Sequence, residues 1–249
     1  MPLAYGFPYQ PPVGSPDQSL AIPVTYFDDF VTGGFEAASA NTFSAAADTA
    51  DWLVTRTGAS DGTITMVDGG SAGAVEVTTG TSDDDSMECQ VNGEAFKIAS
   101  GKSLIWEMRF KIEDVTLTDW VVGLSASDTA IIDGTPDYIG FGNTDNAASI
   151  RAINGKNEVT GVCAGSSAAS TASNVTDTSS DLVADTYVVL RFEVEGTSKV
   201  RFYVDGSLKA THTTNLPDDV GLTPTFCIQA GSAAAEKLTI DYILAMQDR

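Results

Sequence analysis

The sequence runs to 249 residues with 34 acidic and 13 basic side chains, a net charge of −21. A field of that sign repels phosphate backbones, which argues against a nucleic-acid partner, and it keeps a long-lived particle soluble. No segment approaches the ~20 apolar residues of a membrane-spanning helix, and residues 1–12 lack the basic residue and apolar run of a signal peptide, so neither export nor a membrane anchor is expected.

Six of the nine prolines, Pro2, Pro8, Pro11, Pro12, Pro16 and Pro23, fall in residues 1–25, interleaved with Leu3, Tyr5, Phe7 and Tyr9. Proline removes backbone donors and holds the chain extended, so this segment reads as an arm ahead of a domain spanning 26–249. Its aromatic residues contribute binding energy when they meet a groove, so Leu3, Tyr5, Phe7, Tyr9, Pro11 and Pro12 are the candidate partner-binding residues.

From Tyr26 onward short alternating or apolar runs recur: Tyr26 to Val31, Trp52 to Arg56, Thr63 to Val67, Ala74 to Thr79, Ser86 to Val91 and Ala95 to Ile98. Turn-rich groups separate them, and this spacing predicts an all-β sandwich. Ala37 to Ala50 is ambiguous between a short helix and a loop. Ser103 to Glu113 is the clearest strand, with Leu104, Trp106, Met108, Phe110 and Ile112 on one face. Trp120 to Leu124, Tyr138 to Phe141, Ala148 to Ile153 and Glu158 to Cys163 follow, the last two joined across Asn154-Gly155. Ala164 to Ala184, rich in Ser, Ala and Thr, predicts a long loop.

Tyr187 to Thr214 predicts two linked hairpins. A three-residue turn at Gly196-Thr197-Ser198 sets Glu195 against Lys199, Val194 against Val200, Glu193 against Arg201, Phe192 against Phe202 and Leu190 against Val204. A one-residue slip would oppose Val194 to Lys199, so the register is specified. At the second turn a three-residue loop, Val204-Asp205-Gly206, would return Leu208 opposite Phe202, and a bulged turn is expected. Thr225 to Ala230 and Lys237 to Met246 complete the strands, the last presenting Leu238, Ile240, Tyr242, Leu244 and Met246 on one face. Cys89, Cys163 and Cys227 are widely spaced, without the Cys-x-x-Cys of a zinc site, and are expected as buried free thiols made in a reducing cytoplasm.

The runs Tyr187 to Val194, Val200 to Gly206 and Leu238 to Ile243, in that order around a Tyr-Val-Asp-Gly turn, resemble the concanavalin A-like, laminin-G-type jelly roll. The resemblance covers residues 26 to 246 and implies a two-sheet antiparallel jelly-roll sandwich, here with an extended N-terminal arm. Its relatives include glucanases, lectins and structural modules, so function turns on individual residues.

Glycoside hydrolysis uses two carboxylates about 5 to 9.5 Å apart. In laminarinase-like members of the resembled superfamily these lie on one strand as Glu-x-Asp-x-x-Glu, and no glutamate here is followed by that pattern. Glu193 and Glu195 share a strand face, about 7 Å apart by strand geometry, but face Arg201 and Lys199. A nearby cation lowers a carboxyl pKa where an acid catalyst needs it raised. The only histidine, His212, has no Gly-x-Ser-x-Gly elbow beside it. Gly140-Phe141-Gly142 lacks the third glycine of a dinucleotide fingerprint and reads as a strand end. Asp83-Asp84-Asp85 and Asp218-Asp219 offer oxygen donors to calcium without the spacing of a defined loop, and read as solvated turns. Asp137-Tyr138, Trp120 and Asn143-Thr144-Asp145-Asn146 would suit a sugar if the aromatics faced outward, whereas such aromatics are more often core.

The expectation is therefore no enzyme, no catalytic or metal residues and no cofactor. The composition, rich in Gly, Ser, Thr and Ala, resembles tailed-phage virion proteins of this fold. That resemblance implies a capsid decoration or cement protein, made in the host cytoplasm and located on the virion, that binds the major capsid protein as a homo-oligomer, with a trimer favoured. The alternative is a carbohydrate-binding or host-recognition module that binds surface glycans from a virion or tail fibre, and a glycan hydrolase stands third.

Overall fold

The computed structural model describes residues 23–30, 51–58, 62–67, 73–144, 146–158 and 172–249. Ala37 to Ala50, and all of residues 1–22 with the candidate partner-binding positions Leu3, Tyr5, Phe7, Tyr9, Pro11 and Pro12, lie outside them. Cys163 lies outside as well.

The chain forms strands β1 (Val24–Asp28), β2 (Trp52–Thr57), β3 (Thr63–Met66), β4 (Val75–Thr78), β5 (Ser86–Val91), β6 (Ser103–Ile112) and β7 (Thr118–Ser125). A short helix, α1 (Ile131–Gly134), precedes β8 (Tyr138–Asn143), β9 (Ser149–Gly155), β10 (Ser173–Asp181) and β11 (Val188–Glu195). Then come β12 (Lys199–Val204), β13 (Ser207–His212), β14 (Thr223–Ala230) and β15 (Lys237–Gln247). Every pairing among the described strands is antiparallel. The first sheet runs β13-β12-β11-β6-β15-β4-β3, with β1 also on β15, and the second runs β10-β9-β8-β7-β14-β5-β2. This is the expected all-β, two-sheet jelly-roll sandwich. No helix among the described residues is long and apolar enough to cross a membrane.

Alternation along the strands fills the space between the sheets. On β6, Leu104, Trp106, Met108, Phe110 and Ile112 are all buried, as their spacing predicts. Trp106 stacks on Phe192 at 5.2 Å within the first sheet, while Phe110 meets Trp120 at 5.6 Å and Phe141 meets Phe202 at 5.3 Å across the two. Rings of this size dominate core energetics, and truncating one typically costs about 3–5 kcal/mol. Cys89 and Cys227 are both fully buried.

The β11–β12 register matches expectation at all five predicted pairs, from Leu190 with Val204 to Glu195 with Lys199. The next turn differs. Val204 pairs with Ser207 and Tyr203 with Leu208, so the loop is the two-residue Asp205-Gly206. Both residues take left-handed φ values, 47° and 75°, the requirement of a type I′ turn, and aspartate tolerates that conformation. The Asp205 carboxylate also accepts the Val189 N–H at 2.9 Å. Leu208 is consequently 54% exposed, and the bulge falls one step later, where Phe202 pairs with Ala210. That extra residue returns Ala210 and His212 to the interior.

A second bulge corrects the closing strand. Register shifts between Ile240 and Tyr242, leaving Asp241 as the extra residue, which ion-pairs with Arg109. Leu238 and Ile240 point inward, but beyond the bulge Ile243 and Ala245 do so. Tyr242 turns to the outer face, its hydroxyl donating to Glu107 at 2.7 Å and its ring 6.3 Å from Phe27.

Asn154-Gly155 is not a turn. Both residues lie inside β9, paired with Asn174 and Ser173 of β10. The Ser/Ala/Thr-rich stretch expected as a loop thus supplies an edge strand, which pairs on one side only and needs few large side chains. Glu158 is not in a strand, and the rest of the predicted strand to Cys163 lies outside the described residues.

Candidate functional site on the outer face of the second sheet

The carboxylates singled out in sequence sit on the outer face of the first sheet and are neutralised there. Glu195 meets Lys199 at 2.9 Å and Arg201 at 3.1 Å, and these contacts hold its carboxyl below the usual range. Glu193 meets Arg191 at 2.6 Å along its own strand, and the Tyr203 hydroxyl at 3.2 Å. Arg201, opposite Glu193 in register, thus reaches diagonally to Glu195. This ladder has the electrostatics of a surface network, opposite to those of an acid catalyst.

Burial pushes the carboxyls of Asp137 and Glu236 upward. They stand at opposite ends of β7: the Ala126 N–H donates to the Asp137 carbonyl at 3.0 Å, and the Thr118 hydroxyl lies 3.2 Å from the Glu236 carboxylate. The length of β7, at about 3.3 Å per residue, separates them by roughly 25 Å, too far for a two-carboxylate mechanism.

The acidic turns are engaged internally. The Asp85 carboxylate accepts the Ser82 N–H at 2.9 Å. Asp218 and Asp219 ion-pair with Lys156, and Asn157 donates to Asp219 at 2.8 Å. Among the described residues no group of three or more His, Cys, Asp or Glu side chains is gathered as a metal site.

Trp120 is buried in the main core and Tyr138 beneath a loop, so the constellation imagined around exposed aromatics does not form. Asn143 donates to the Ser149 carbonyl at 2.7 Å, the Asn146 N–H donates to Asp119 at 3.0 Å, and Asp145 lies outside the described residues. His212 is buried between Asn154 and Thr176, at 2.5 and 2.9 Å, as a hydrogen-bonding residue.

The second sheet's outer face is different in kind. Register sets its outward side chains in rows: Thr55, Glu88, Cys227 and Val121 in one, and Leu53, Gln90, Thr225 and Gly123 in the next. Gln90 donates to the Ser125 hydroxyl at 2.7 Å and lies 3.2 Å from that of Thr225, and the Ser86 hydroxyl donates to Glu88 at 3.2 Å. Ser86, Glu88, Gln90, Ser125, Thr223 and Thr225 are all buried. Further along, Val121, Tyr138, Ile153 and Cys227 form a small apolar cluster that Ile131 and Ile132 of α1 cover. Glycines make room for it: a β-carbon on Gly140 would stand 2.6 Å from the Tyr138 hydroxyl. Sequence reasoning missed this floor. Its signal was the polar alternation Ser86, Glu88, Gln90 against Met87, Cys89 and Val91, which marks a face that is not apolar and leaves unsaid that a loop covers it.

No protein-family model matches the sequence, and no curated protein matches it. Solved structures do match in fold. An endo-1,3-beta-glucanase from Streptomyces sioyaensis superposes with a TM-score of 0.57 at 14% identity, over 96% of this chain and 98% of that one. The alginate lyase AlyC3 gives 0.50 at 12% identity, over 71% and 75%. The metal-free carbohydrate recognition domain of Emp46p gives 0.52 at 11% identity, over 78% and 87%. Nothing in the three bears on the expected capsid role. The expectation that the chain is no enzyme is corrected by the first two, because enzymes carry the same fold. The physical reason is that a sandwich assembles a site from separate strands, so the absence of one linear carboxylate motif excludes little. At these identities the likeness establishes fold alone: the chain has the concanavalin A-like jelly-roll sandwich that glucanases and a carbohydrate recognition domain share.

Proposed function

We propose that the protein binds a neutral polysaccharide on the outer face of its second sheet. One observation carries the reading: on this fold, a sheet face is floored by hydroxyl, carboxamide and carboxylate side chains, Ser86, Glu88, Gln90, Ser125 and Thr225, already aligned by mutual hydrogen bonds. Sugar hydroxyls both donate and accept, and an aligned floor of this kind is their complement. The charge selects among sugars. Glu88, Glu94 and Asp128 cluster at the site within a chain of net charge −21, a field that repels polyuronates and tolerates neutral glucans.

Affinity electrophoresis in gels containing laminarin, a neutral glucan, or alginate, a polyuronate, tests this. Retardation by the glucan and not by alginate is expected. Thr225→Val, which keeps volume and removes one hydroxyl, should weaken binding about tenfold, the equivalent of ~1.4 kcal/mol. Equal retardation by alginate, or none by a panel of neutral polysaccharides, would sink the proposal.

A capsid-surface role is a second proposal, supported by where residues 1–22 join the domain. They lead into β1, whose Phe27 is 57% exposed on the outer face of the first sheet, beside Tyr242. Deleting residues 1–22 should leave a folded protein that no longer coats phage shells. Full coating by the shortened chain would remove the arm from the account.

A further inference from the structure

A segment of the chain itself covers the floor. Residues 126–137, between β7 and β8, cross the outer face of the second sheet as a strap. Three strap N–H groups donate to side chains from the floor and its rim: Ile131 to Glu88 at 2.5 Å, Asp128 to Gln90 at 3.0 Å and Ser127 to Glu94 at 2.8 Å. Gln90 in turn donates to the Ala126 carbonyl at 2.9 Å. Ile131 and Ile132 sit against Val121, Ile153 and Cys227.

Apart from its second foot, where the Glu158 and Asn157 N–H groups donate to the Pro136 carbonyl and the Asp137 carboxylate at 3.0 Å each, the strap has little hold of its own. Its helix is four residues long and begins at Ala130 without a side-chain cap, far below the length that is stable alone. Its feet are adjacent, since Ser125 and Tyr138 are partners in the β7–β8 register and the Ala126 N–H donates to the Asp137 carbonyl. Lifting the strap therefore breaks no bond within either sheet. A face meant to stay covered is better served by apolar residues than by a buried carboxylate and carboxamide, whose desolvation is costly. Acceptors that hold main-chain N–H groups can equally hold sugar O–H groups.

We propose that residues 126–137 are a lid on the polysaccharide site, with three main-chain N–H groups standing where sugar hydroxyls bind when it opens. The inference rests on the neutral-polysaccharide reading above, and it adds that ligand and strap compete for Glu88, Gln90 and Glu94. Cys227, fully buried under the strap, reports its position, while Cys89, fully buried in the main core, reports global opening.

The test uses the full chain, a maleimide label and peptide mapping by mass spectrometry. In Ile131→Ser/Ile132→Ser, Cys227 should label at least tenfold faster than in the wild type with Cys89 still protected, and laminarin affinity should rise about tenfold. Labelling of both cysteines together would show that the strap belongs to the cooperative core, and would overturn the lid. Lower affinity with an open strap would overturn the competition. If Cys227 alone opens and neither protein binds any neutral polysaccharide, the ligand reading fails while the moving strap stands. Should the variant not fold, hydrogen exchange on the wild type decides: amides of Ser127, Asp128 and Ile131 must exchange at rates independent of denaturant and well ahead of those of β7 and β14. Exchange in step with those strands would rule the lid out.

Discussion

Gly140→Ala should be among the most damaging single methyl additions to this protein, lowering its stability by about 3 kcal/mol in urea unfolding. Gly140 faces Gly123 across the β7–β8 pairing. A β-carbon there would overlap the Val122 carbonyl oxygen and stand 2.7 Å from the Gly123 α-carbon, so the obstruction is backbone, which cannot rotate away. It would also press on the Tyr138 hydroxyl, which lies 2.8 Å from the carbonyl oxygens of both Val122 and Phe141. Displacing that hydroxyl leaves buried polar groups short of partners and lifts the ring on which the strap rests. Gly123→Ala meets the same strand pair from the other side, its added carbon overlapping the Ile139 carbonyl oxygen. The double variant should therefore cost less than the sum of the two, because once the strands have parted the second methyl finds room. A loss below about 0.5 kcal/mol in either single variant, within the ordinary range for surface substitutions, would mean the two strands tolerate a wider separation.

The same glycines show what sequence could and could not convey. Gly140 and Gly142 on a strand pattern are readable as a close approach of some kind, but the partner that approaches is set by tertiary register. Where the register was itself encoded, prediction held: apolar against apolar and acid against base left one alignment for β11 and β12. Where two alignments were close in cost, it failed. At Asp205-Gly206 burial of Leu208 was weighed against turn geometry, and the turn prevailed, because a left-handed Asp-Gly pair is so well suited to two residues that the bulge was displaced down the strand. On β15 the alternation of Leu238 through Met246 looked uniform, and only the Arg109–Asp241 pair, contributed by a strand over a hundred residues away, marks where the phase changes. The candidate site was least legible. Glu88, Gln90, Ser125 and Thr225 come from three strands, so their convergence exists in the order of the second sheet and nowhere in the chain's linear pattern. The strap contributes main-chain N–H groups, and these leave no trace in residue identity.

Acid should weaken the seam between the two sheets through His212. This residue ends β13 of the first sheet, yet its ring nitrogens contact the second: Nδ1 lies 2.5 Å from the Asn154 amide oxygen on β9, and Nε2 lies 2.9 Å from the Thr176 hydroxyl on β10. Asn154 completes the joint by donating to the carbonyls of Thr214 and Asn215 at 2.9 and 2.7 Å. Asn154 and Thr176 are uncharged, and the Phe202 ring centroid lies 5.0 Å from that of His212. Burial therefore acts on the imidazole unopposed and lowers its pKa from 6.5 to about 4. Between those values the unfolded chain carries a proton on this ring that the folded chain lacks, so stability falls as pH drops from about 6.5 to about 4 and changes no further below. The full difference corresponds to about 3 kcal/mol. Carboxylate protonation in this acidic chain moves stability over the same range, which makes the comparison with His212→Gln the informative measurement. Urea-unfolding free energies of the two proteins, taken from pH 7 to pH 4, should converge by up to about that amount, the wild type losing its advantage as the pH falls. Curves that remain parallel would show that His212 titrates alike in the folded and unfolded chains, and that the seam is held by Asn154 and its carbonyl partners without regard to the imidazole's charge.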